Sequence, residues 1–133
     1  MTRSLTAAIA LLVACASVKN PIVAEPDLAF SLPLGETATL AGSAHRITFL
    51  QVREDSRCPT SVVCVWEGDA KIEVTVSRNG GTGESATLGL KPPNNEARLG
   101  DLVVRFVGLA PYPANPEPNT PRQYVAELLI KRL

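Results

Sequence analysis

Three cysteines are the residues of this chain with the most distinctive chemistry, and they occur in two different settings. Cys15 directly follows an apolar run, whereas Cys58 and Cys64 lie inside one short segment. A cysteine after an apolar leader is a site for lipid attachment. Two neighbouring cysteines can form a disulfide, bind a metal or carry out redox chemistry, so the two settings require separate interpretations.

The first fourteen residues have the pattern of a bacterial export signal. Arg3 supplies the positive charge, and residues 5–13 are uncharged, mostly apolar and too short to span a bilayer, which takes about 20 residues. Residues 12–15, Leu-Val-Ala-Cys, resemble the bacterial lipobox, whose cysteine is acylated and becomes the new N-terminus. We therefore predict a lipoprotein-type signal peptide over residues 1–14 and lipidation of Cys15.

Ordinary cleavage after Ala16 is the alternative, because Ala14, Cys15 and Ala16 also satisfy the small-x-small rule of signal peptidase. By resemblance to the sorting rule for lipoproteins, Ala16 after the cysteine predicts an anchor in the outer membrane of a two-membrane bacterium, facing the periplasm. The alternative predicts a periplasmic or secreted protein. The lipid bilayer is thus one expected partner, reached through the acylated N-terminus.

Charge narrows the choice of further partners. The chain has 13 Lys and Arg against 13 Asp and Glu, and its basic residues form no cluster. Nucleic acids and polybasic membrane contacts both require concentrated positive charge, so neither is expected. An envelope protein or a cell-wall component remains, and no cofactor is expected.

Alternation of apolar and polar residues with a period of two predicts β-strands along most of the chain. A hairpin is predicted from residues 70–77 and 85–90, joined by a turn rich in Asn and Gly. Further strands are predicted at 28–32, 37–40, 46–54, 62–66, 102–108 and 124–132. The alternation slips by one residue between Phe49 and Leu50, which predicts a β-bulge there.

No segment has a sustained helical stripe, so the predicted class is all-β. Seven or eight short strands predict an antiparallel, immunoglobulin-like sandwich over residues 28–133, joined to the anchor by a tether over residues 15–27. The inter-sheet disulfide of immunoglobulin domains is absent, because Cys58 and Cys64 are too close in sequence. We predict a local disulfide between them instead.

The segment around these cysteines is the densest run of unusual residues in the chain. It resembles the signature of a broad group of small exported bacterial proteins and lipoproteins, with Asp-Ser-Arg-Cys-Pro, a second Cys, then Trp, Gly and Ala. The matching positions are Asp55, Ser56, Arg57, Cys58, Pro59, Val62, Cys64, Trp66, Gly68 and Ala70, and Leu109, Ala110, Pro111, Tyr112, Pro113 and Tyr124 fit the same group. The resemblance implies export and no particular activity.

A disulfide is the simplest state for two cysteines of an exported chain, and it would hold the residues between them in one shape. A zinc site is disfavoured because the spacing is wide and only His45 could join, and the spacing is not the redox pattern Cys-x-x-Cys. Trp66 alternates with Cys64, so we expect it to pack in the core against the disulfide. Asp55 and Arg57 either form a local ion pair or contact a ligand.

Residues 109–122 contain five prolines and cannot pair into a sheet. They are either a recognition loop or a belt that packs Tyr112 over the end of a sheet. If residues 62–66 cross the domain as a strand, this segment and residues 55–61 lie at the same end. We predict that Arg57, Pro59, Thr60, Tyr112 and Asn115 border a common exposed patch.

Catalysis is not expected, because the single histidine, His45, is predicted to lie in a surface turn without a recognisable nucleophile or acid at catalytic spacing. The sequence predicts a non-catalytic envelope lipoprotein that binds a partner or has a structural role. One alternative is an inhibitor that presents residues 59–61 of the disulfide loop to an enzyme. A second is a secreted domain with a weak metal site at acid pairs such as Glu54 with Asp55 and Glu67 with Asp69.

Overall fold

The computed structural model describes Ser17, residues 19–115 and residues 123–133. The predicted signal peptide, Cys15 and Ala16 lie outside the described residues, as does the part of the proline-rich segment from 116 to 122. The described residues form nine strands: β1 (Ile22–Ala24), β2 (Ala29–Pro33), β3 (Thr37–Leu40), β4 (His45–Asp55), β5 (Ala70–Arg78), β6 (Glu84–Gly89), β7 (Glu96–Leu99), β8 (Leu102–Ala110) and β9 (Val125–Arg132).

The strands form two sheets, one in the order β1-β3-β4-β5-β6 and the other in the order β2-β9-β8-β7. Every pairing is antiparallel except that of β1 with β3, which is parallel. Buried apolar side chains from both sheets form one core. The prediction of an all-β sandwich with a local disulfide is confirmed, with nine described strands rather than seven or eight. The immunoglobulin-like topology stays a prediction.

Alternation in the sequence corresponds to alternation of burial. In β5, Ala70, Ile72 and Val74 are fully buried, while Lys71 between them is exposed. In β9, Ala126, Leu128 and Ile130 are buried as well, and Tyr124, just before this strand, is half-buried against the core. Each strand therefore places one face on the core and the other towards solvent.

The β-bulge predicted at Phe49 is confirmed. The register between β4 and β5 shifts between Phe49 and Gln51, and it shifts again between Val52 and Glu54. Each shift inserts an extra residue into β4, which bends the strand and increases its twist. The long β4 thus connects the turn at residues 41–44 with the loop that follows Asp55 and contains the disulfide.

Two described strands were not predicted. β1 lies inside the predicted tether, yet Ala24 is fully buried and the strand pairs with β3, so the part of the tether at Ile22–Ala24 belongs to the domain. β7 follows a turn with two asparagines. Strands of three and four residues are too short for alternation to be recognised, and their place in the sheets depends on distant partners.

The predicted strand at 62–66 is wrong, and so is the predicted burial of Trp66. Residues 56–69 form a loop between β4 and β5, and Trp66 is 82% exposed. The Cα atoms of Cys58 and Cys64 are 5.9 Å apart, whereas six residues of extended chain span about 20 Å. The disulfide therefore folds this segment back on itself and prevents a continuous strand.

Candidate binding site at the disulfide loop

The disulfide loop, residues 56–69, is closed at its base by reciprocal hydrogen bonds. The Ser56 amide donates to the Asp69 carbonyl at 2.8 Å, and the Asp69 amide donates to the Ser56 hydroxyl at 3.0 Å. Gly68 is required for this closure, because it has a φ of 69° and an added Cβ would lie 1.6 Å from the Ser56 carbonyl oxygen. The base of the loop is therefore sterically specified.

The predicted disulfide between Cys58 and Cys64 is confirmed. It encloses residues 59–63, Pro-Thr-Ser-Val-Val. The amides of Thr60 and Ser61 donate to the carbonyls of Pro113 and Ala114, at 3.1 and 3.2 Å. The loop is thus fastened to the segment that follows β8 as well as to itself.

Arg57 is the centre of this fastening. Its guanidinium forms a bidentate pair with the Asp55 carboxylate, at 2.7 Å from Nε and 2.9 Å from Nη2. The same group donates to the carbonyls of Leu109 at 2.5 Å and Pro111 at 3.0 Å, and it lies 5.0 Å from the ring centroid of Tyr112. Bidentate pairing, buried carbonyl acceptors and a cation–π contact satisfy the arginine in several directions at once.

The Asp55 carboxylate is held in its charged form. Burial raises the pKa of Asp55, but hydrogen bonds from Arg57 and from the Tyr124 hydroxyl at 3.0 Å, together with the Arg57 charge, lower it further than burial raises it. The net pKa is below the ordinary value of 3.8. Asp55 and Arg57 therefore form the predicted local ion pair.

The predicted patch residues occupy different environments. Arg57 is buried, with only 7% of its surface exposed, so it supports the surface from beneath rather than forming part of it. Pro59 is half-buried, whereas Thr60, Tyr112 and Asn115 are exposed. The structure brings the two segments together at one end of the sandwich, although the strand used to predict this does not exist. They meet through the hydrogen bonds that Arg57, Thr60 and Ser61 donate to carbonyls at and after the end of β8. A binding role for the patch stays a prediction.

The most exposed apolar residues of the loop are ones that the sequence prediction placed in a strand. We call Val63, Val65 and Trp66 the apolar tip; they are 102%, 92% and 82% exposed. Val62 beside them is 42% exposed. The signal that could have revealed this tip is the short cysteine spacing, because a strand through Cys64 is incompatible with a disulfide to Cys58.

The acid pairs of this region do not converge on a common centre. Glu54 pairs with Lys71 at 3.0 Å, Glu67 pairs with Lys91 at 3.1 Å, and Asp55 pairs with Arg57. Asp69 accepts the amides of Ala70 and Leu90 instead. Within the described parts of the chain, no three His, Cys, Asp or Glu side chains are grouped to hold a metal ion.

A second polar cluster lies at the opposite end of the sandwich and was missed. His45 is 7% exposed rather than on the surface, and its Nε2 lies 2.8 Å from the Asp101 carboxylate. Its Nδ1 contacts the Ser43 hydroxyl, which also accepts the His45 amide at 3.2 Å. A cavity of about 390 Å³ adjoins the ring and is lined by Arg78 and Glu84 among others.

The second cluster has the residue types of a catalytic triad but the contacts of a turn. Ser43 and His45 are bonded locally, two residues apart, as in turns stabilised by a serine hydroxyl. Asp101 hydrogen-bonds its own backbone amide, which together with the nearby His45 lowers its pKa below the ordinary 3.8 in spite of desolvation. The cluster joins the turn before β4 to the turn after β7, and thereby one sheet to the other.

No protein-family model, curated protein or solved structure matches this chain. The part of the chain that the structure describes also lacks a helix long and apolar enough to cross a membrane. Function is therefore inferred from the geometry of the disulfide loop.

Proposed function

We propose that this protein is a non-catalytic binding module of the bacterial cell envelope, anchored through Cys15, that makes contact through the apolar tip of its disulfide loop. The observation that carries this proposal is the near-complete exposure of Val63, Val65 and Trp66 on a loop fixed at its base. Three large apolar side chains lie exposed within four consecutive residues, and exposed apolar surface that is not limited to single side chains is typical of interaction sites.

The loop is built to present this tip in one conformation. A disulfide, the buried Arg57 pair and two backbone hydrogen bonds to residues 113 and 114 restrain it. The restraints leave the tip in solvent, so the tip side chains add nothing to the packing of the core. A loop ordered before binding loses less conformational freedom when it binds, which increases affinity without further contacts.

The disulfide also supports export. Disulfides persist in oxidising compartments such as the periplasm, and the loop depends on one. This supports export to an oxidising compartment, which the envelope location and the secreted alternative share, on chemical grounds that are independent of the lipobox resemblance. Acylation of Cys15 remains part of the proposal.

An inhibitor that presents residues 59–61 has less support. The amides of Thr60 and Ser61 already donate to carbonyls of the neighbouring segment, so they are not available to pair with the backbone of an enzyme. An inhibitor acting through this loop would have to use the apolar tip. The inhibitor alternative would therefore use the same contact surface as the proposed binding module.

The test is cross-linking of the full chain in intact envelopes with a reagent that captures both neighbouring proteins and neighbouring lipids. A tip variant, Val63→Ser with Val65→Ser and Trp66→Ser, is compared with a control variant, Leu50→Ser with Val107→Ser, which changes two side chains that are each 43% exposed on strands. We expect the tip variant to lose the cross-linked products and the control to retain them. Identical products from both variants would show that the tip is not the contact surface.

Cys58→Ser with Cys64→Ser provides the second comparison, because it keeps the tip residues and releases the loop. Removal of so short a cross-link costs about 2 kcal/mol of stability on the chain-entropy model. We expect weaker cross-linking than in the wild type but more than in the tip variant. Cross-linking that is unchanged on removal of the disulfide would contradict the role given to preorganisation.

A further inference from the structure

We propose that the apolar tip docks on the lipid bilayer in which the protein is anchored, so that the domain has two points of membrane contact. This inference rests on the proposed function and names the occupant of its contact surface. Tryptophan favours the membrane–water interface, since its ring is apolar and its indole N–H is polar. Val63 and Val65 beside it add apolar surface with no charge between them.

Strand direction points the chain before β1 towards the same end of the domain as the tip. β1 is parallel to β3, and β3 is antiparallel to β4. β1 therefore begins at the end of the sheet where β4 ends. The chain before Ile22 comes from that end, which also carries Asp55 and the disulfide loop. The Lys19 ammonium contacts the Glu36 carboxylate, directly before β3, which agrees with this exit.

The chain before β1 is long enough for the anchor to reach the end of the sheet. Ile22 is level with Ala38 and hence with Ile47, whose partner in β5 is Val76. From Val76 to Ala70, the partner of Asp55, is a distance of about 20 Å along the strand. The seven residues from Cys15 to Ile22 can span at most about 25 Å. Cys15 can therefore draw level with the base of the loop.

The surroundings of the tip favour neutral lipid over a charged partner. Arg57 is buried and paired with Asp55, and Glu67, which follows Trp66, pairs with Lys91. The tip thus has no ring of unpaired basic side chains among the described residues to attract anionic head groups. We expect an apolar contact that is insensitive to salt and does not require anionic lipid.

The small size of the tip argues against a second copy of this chain as the occupant. Stable protein interfaces use about 20 to 30 residues on each side, whereas the tip offers three, with Val62 beside them. A few apolar side chains give only weak membrane binding alone. Next to an acyl anchor they are sufficient, because the anchor supplies a high local concentration of bilayer and the tip needs only to orient the domain.

Trp66 reports on this contact directly, since it is the only tryptophan of the chain. The acylated full chain is reconstituted into phosphatidylcholine vesicles, and fluorescence emission and iodide quenching are compared with those of the same protein in detergent-free buffer after release of its N-terminus by proteolysis. We expect a blue shift, several-fold protection from iodide and quenching by lipids brominated along their acyl chains. Equal iodide quenching in both states would overturn the proposal.

Val63→Ser with Val65→Ser is the matched variant, because it retains Trp66 and the anchor and removes only apolar area. We expect it to lose most of the protection from iodide while its urea unfolding curve stays the same. Adding phosphatidylglycerol or raising the salt concentration should change the wild-type signal little. Binding that appears only with phosphatidylglycerol and disappears in salt would show a charge-driven contact and contradict the proposal.

A chain whose Cys15 is not acylated is tested in the same way with a hexahistidine sequence before Ala16 and vesicles that contain a nickel-chelating lipid. Full exposure of Trp66 there would also overturn the bilayer as occupant. The proposed function survives that result if the tip variant still loses an envelope protein from its cross-linked products. If the tip variant loses nothing in envelopes either, the proposed function fails as well.

Discussion

The two ends of the sandwich use the same device for different results. At each end, a buried basic side chain near one terminus of β4 connects the two sheets: His45 pairs with Asp101, and Arg57 pairs with Asp55 while bonding the carbonyls that end β8. At the His45 end the connected turns are short. At the Arg57 end the pair carries the whole disulfide loop, and the loop exposes its apolar residues.

The disulfide loop contains more order than the sandwich requires. A short turn suffices to connect β5 to β6, whereas residues 56–69 connect β4 to β5. Gly68, the disulfide and the Arg57 contacts all specify a conformation whose outermost side chains are in solvent. Order without burial is a mark of a functional loop rather than of a structural connection.

Substitution of Arg57 or His45, the buried basic side chains of the two ends, is expected to show the largest difference between them. Arg57→Ala removes the cation that pairs with Asp55 and the donor to two carbonyls, while Asp55 keeps its hydrogen bond from the Tyr124 hydroxyl, so we expect the free energy of unfolding to fall by about 3 to 5 kcal/mol. His45→Ala should cost about 1 to 2 kcal/mol, because Asp101 has 60% of its side chain in water and remains solvated. Urea unfolding followed by circular dichroism measures both.

Two controls keep the first comparison interpretable. Arg57→Lys retains the positive charge but not the bidentate fork, so its free energy of unfolding should lie between those of the wild type and Arg57→Ala. It replaces Arg57→Ala in the comparison if that variant does not fold. Arg105→Ala removes an exposed pair with Glu96 and should cost less than about 1 kcal/mol. Equal losses for Arg57→Ala and His45→Ala would mean that the two ends are held with similar strength.

Comparing Gly68→Ala with Gly80→Ala tests how tightly the backbone is packed at the two ends. Both glycines have a φ of 69°, but an added Cβ meets nothing within 4 Å at Gly80 and lies 1.6 Å from backbone at Gly68. We expect Gly80→Ala to cost about 1 kcal/mol for the left-handed backbone and Gly68→Ala about 3 kcal/mol or more. Thermal unfolding of the two variants side by side provides the measurement.

Gly68→Ala should also disturb the apolar tip, whereas Gly80→Ala should not. Displacement of Ser56 moves the base of the disulfide loop, and Trp66 lies two residues before Gly68. We expect the fluorescence emission of Trp66 to change only in Gly68→Ala. Similar unfolding and emission for both variants would contradict the steric role of Gly68.

Acid titration gives the smallest of the expected differences. The pKa values of Asp55 and Asp101 are both lowered in the folded protein, so each carboxylate stabilises the fold above its ordinary pKa of 3.8, and this contribution is lost as pH falls through the lowered folded value. Asp55 is the more buried, so Asp55→Asn should flatten the acid side of the stability profile more than Asp101→Asn. A larger flattening in Asp101→Asn would contradict this expectation, because it would mean that Asp101 contributes more than Asp55 to the pH dependence of stability.

The strands were predictable where alternation is long enough to be recognised. Residues 70–77 and the bulge at Phe49 follow directly from the spacing of apolar side chains, because the buried face repeats every second residue. β1 and β7 contain three and four residues, and only their partners in the folded sheets define them as strands. Local pattern and tertiary pairing thus determine different elements of the same fold.

The candidate site was predictable in its covalent part and not in its surface. Two neighbouring cysteines in an exported chain predict a disulfide, but the same valines and tryptophan that form the tip also satisfy the pattern of a buried strand. Composition does not distinguish an apolar residue that is buried from one that is exposed for binding. The contact between His45 and Asp101 was likewise not predictable, because it depends on two turns, distant in sequence, that meet at one end of the sandwich.

If the domain is anchored through Cys15, as we propose, the parallel pairing of β1 determines how it would respond to a mechanical load on that anchor. Tension on Cys15 would pull β1 along its own axis, past the neighbouring β3, because the chain leaves towards the end at which both strands begin. In that geometry the hydrogen bonds are sheared together rather than opened one after another. We therefore expect even a strand of three residues, Ile22–Ala24, to resist the drag of a moving membrane better than its length suggests.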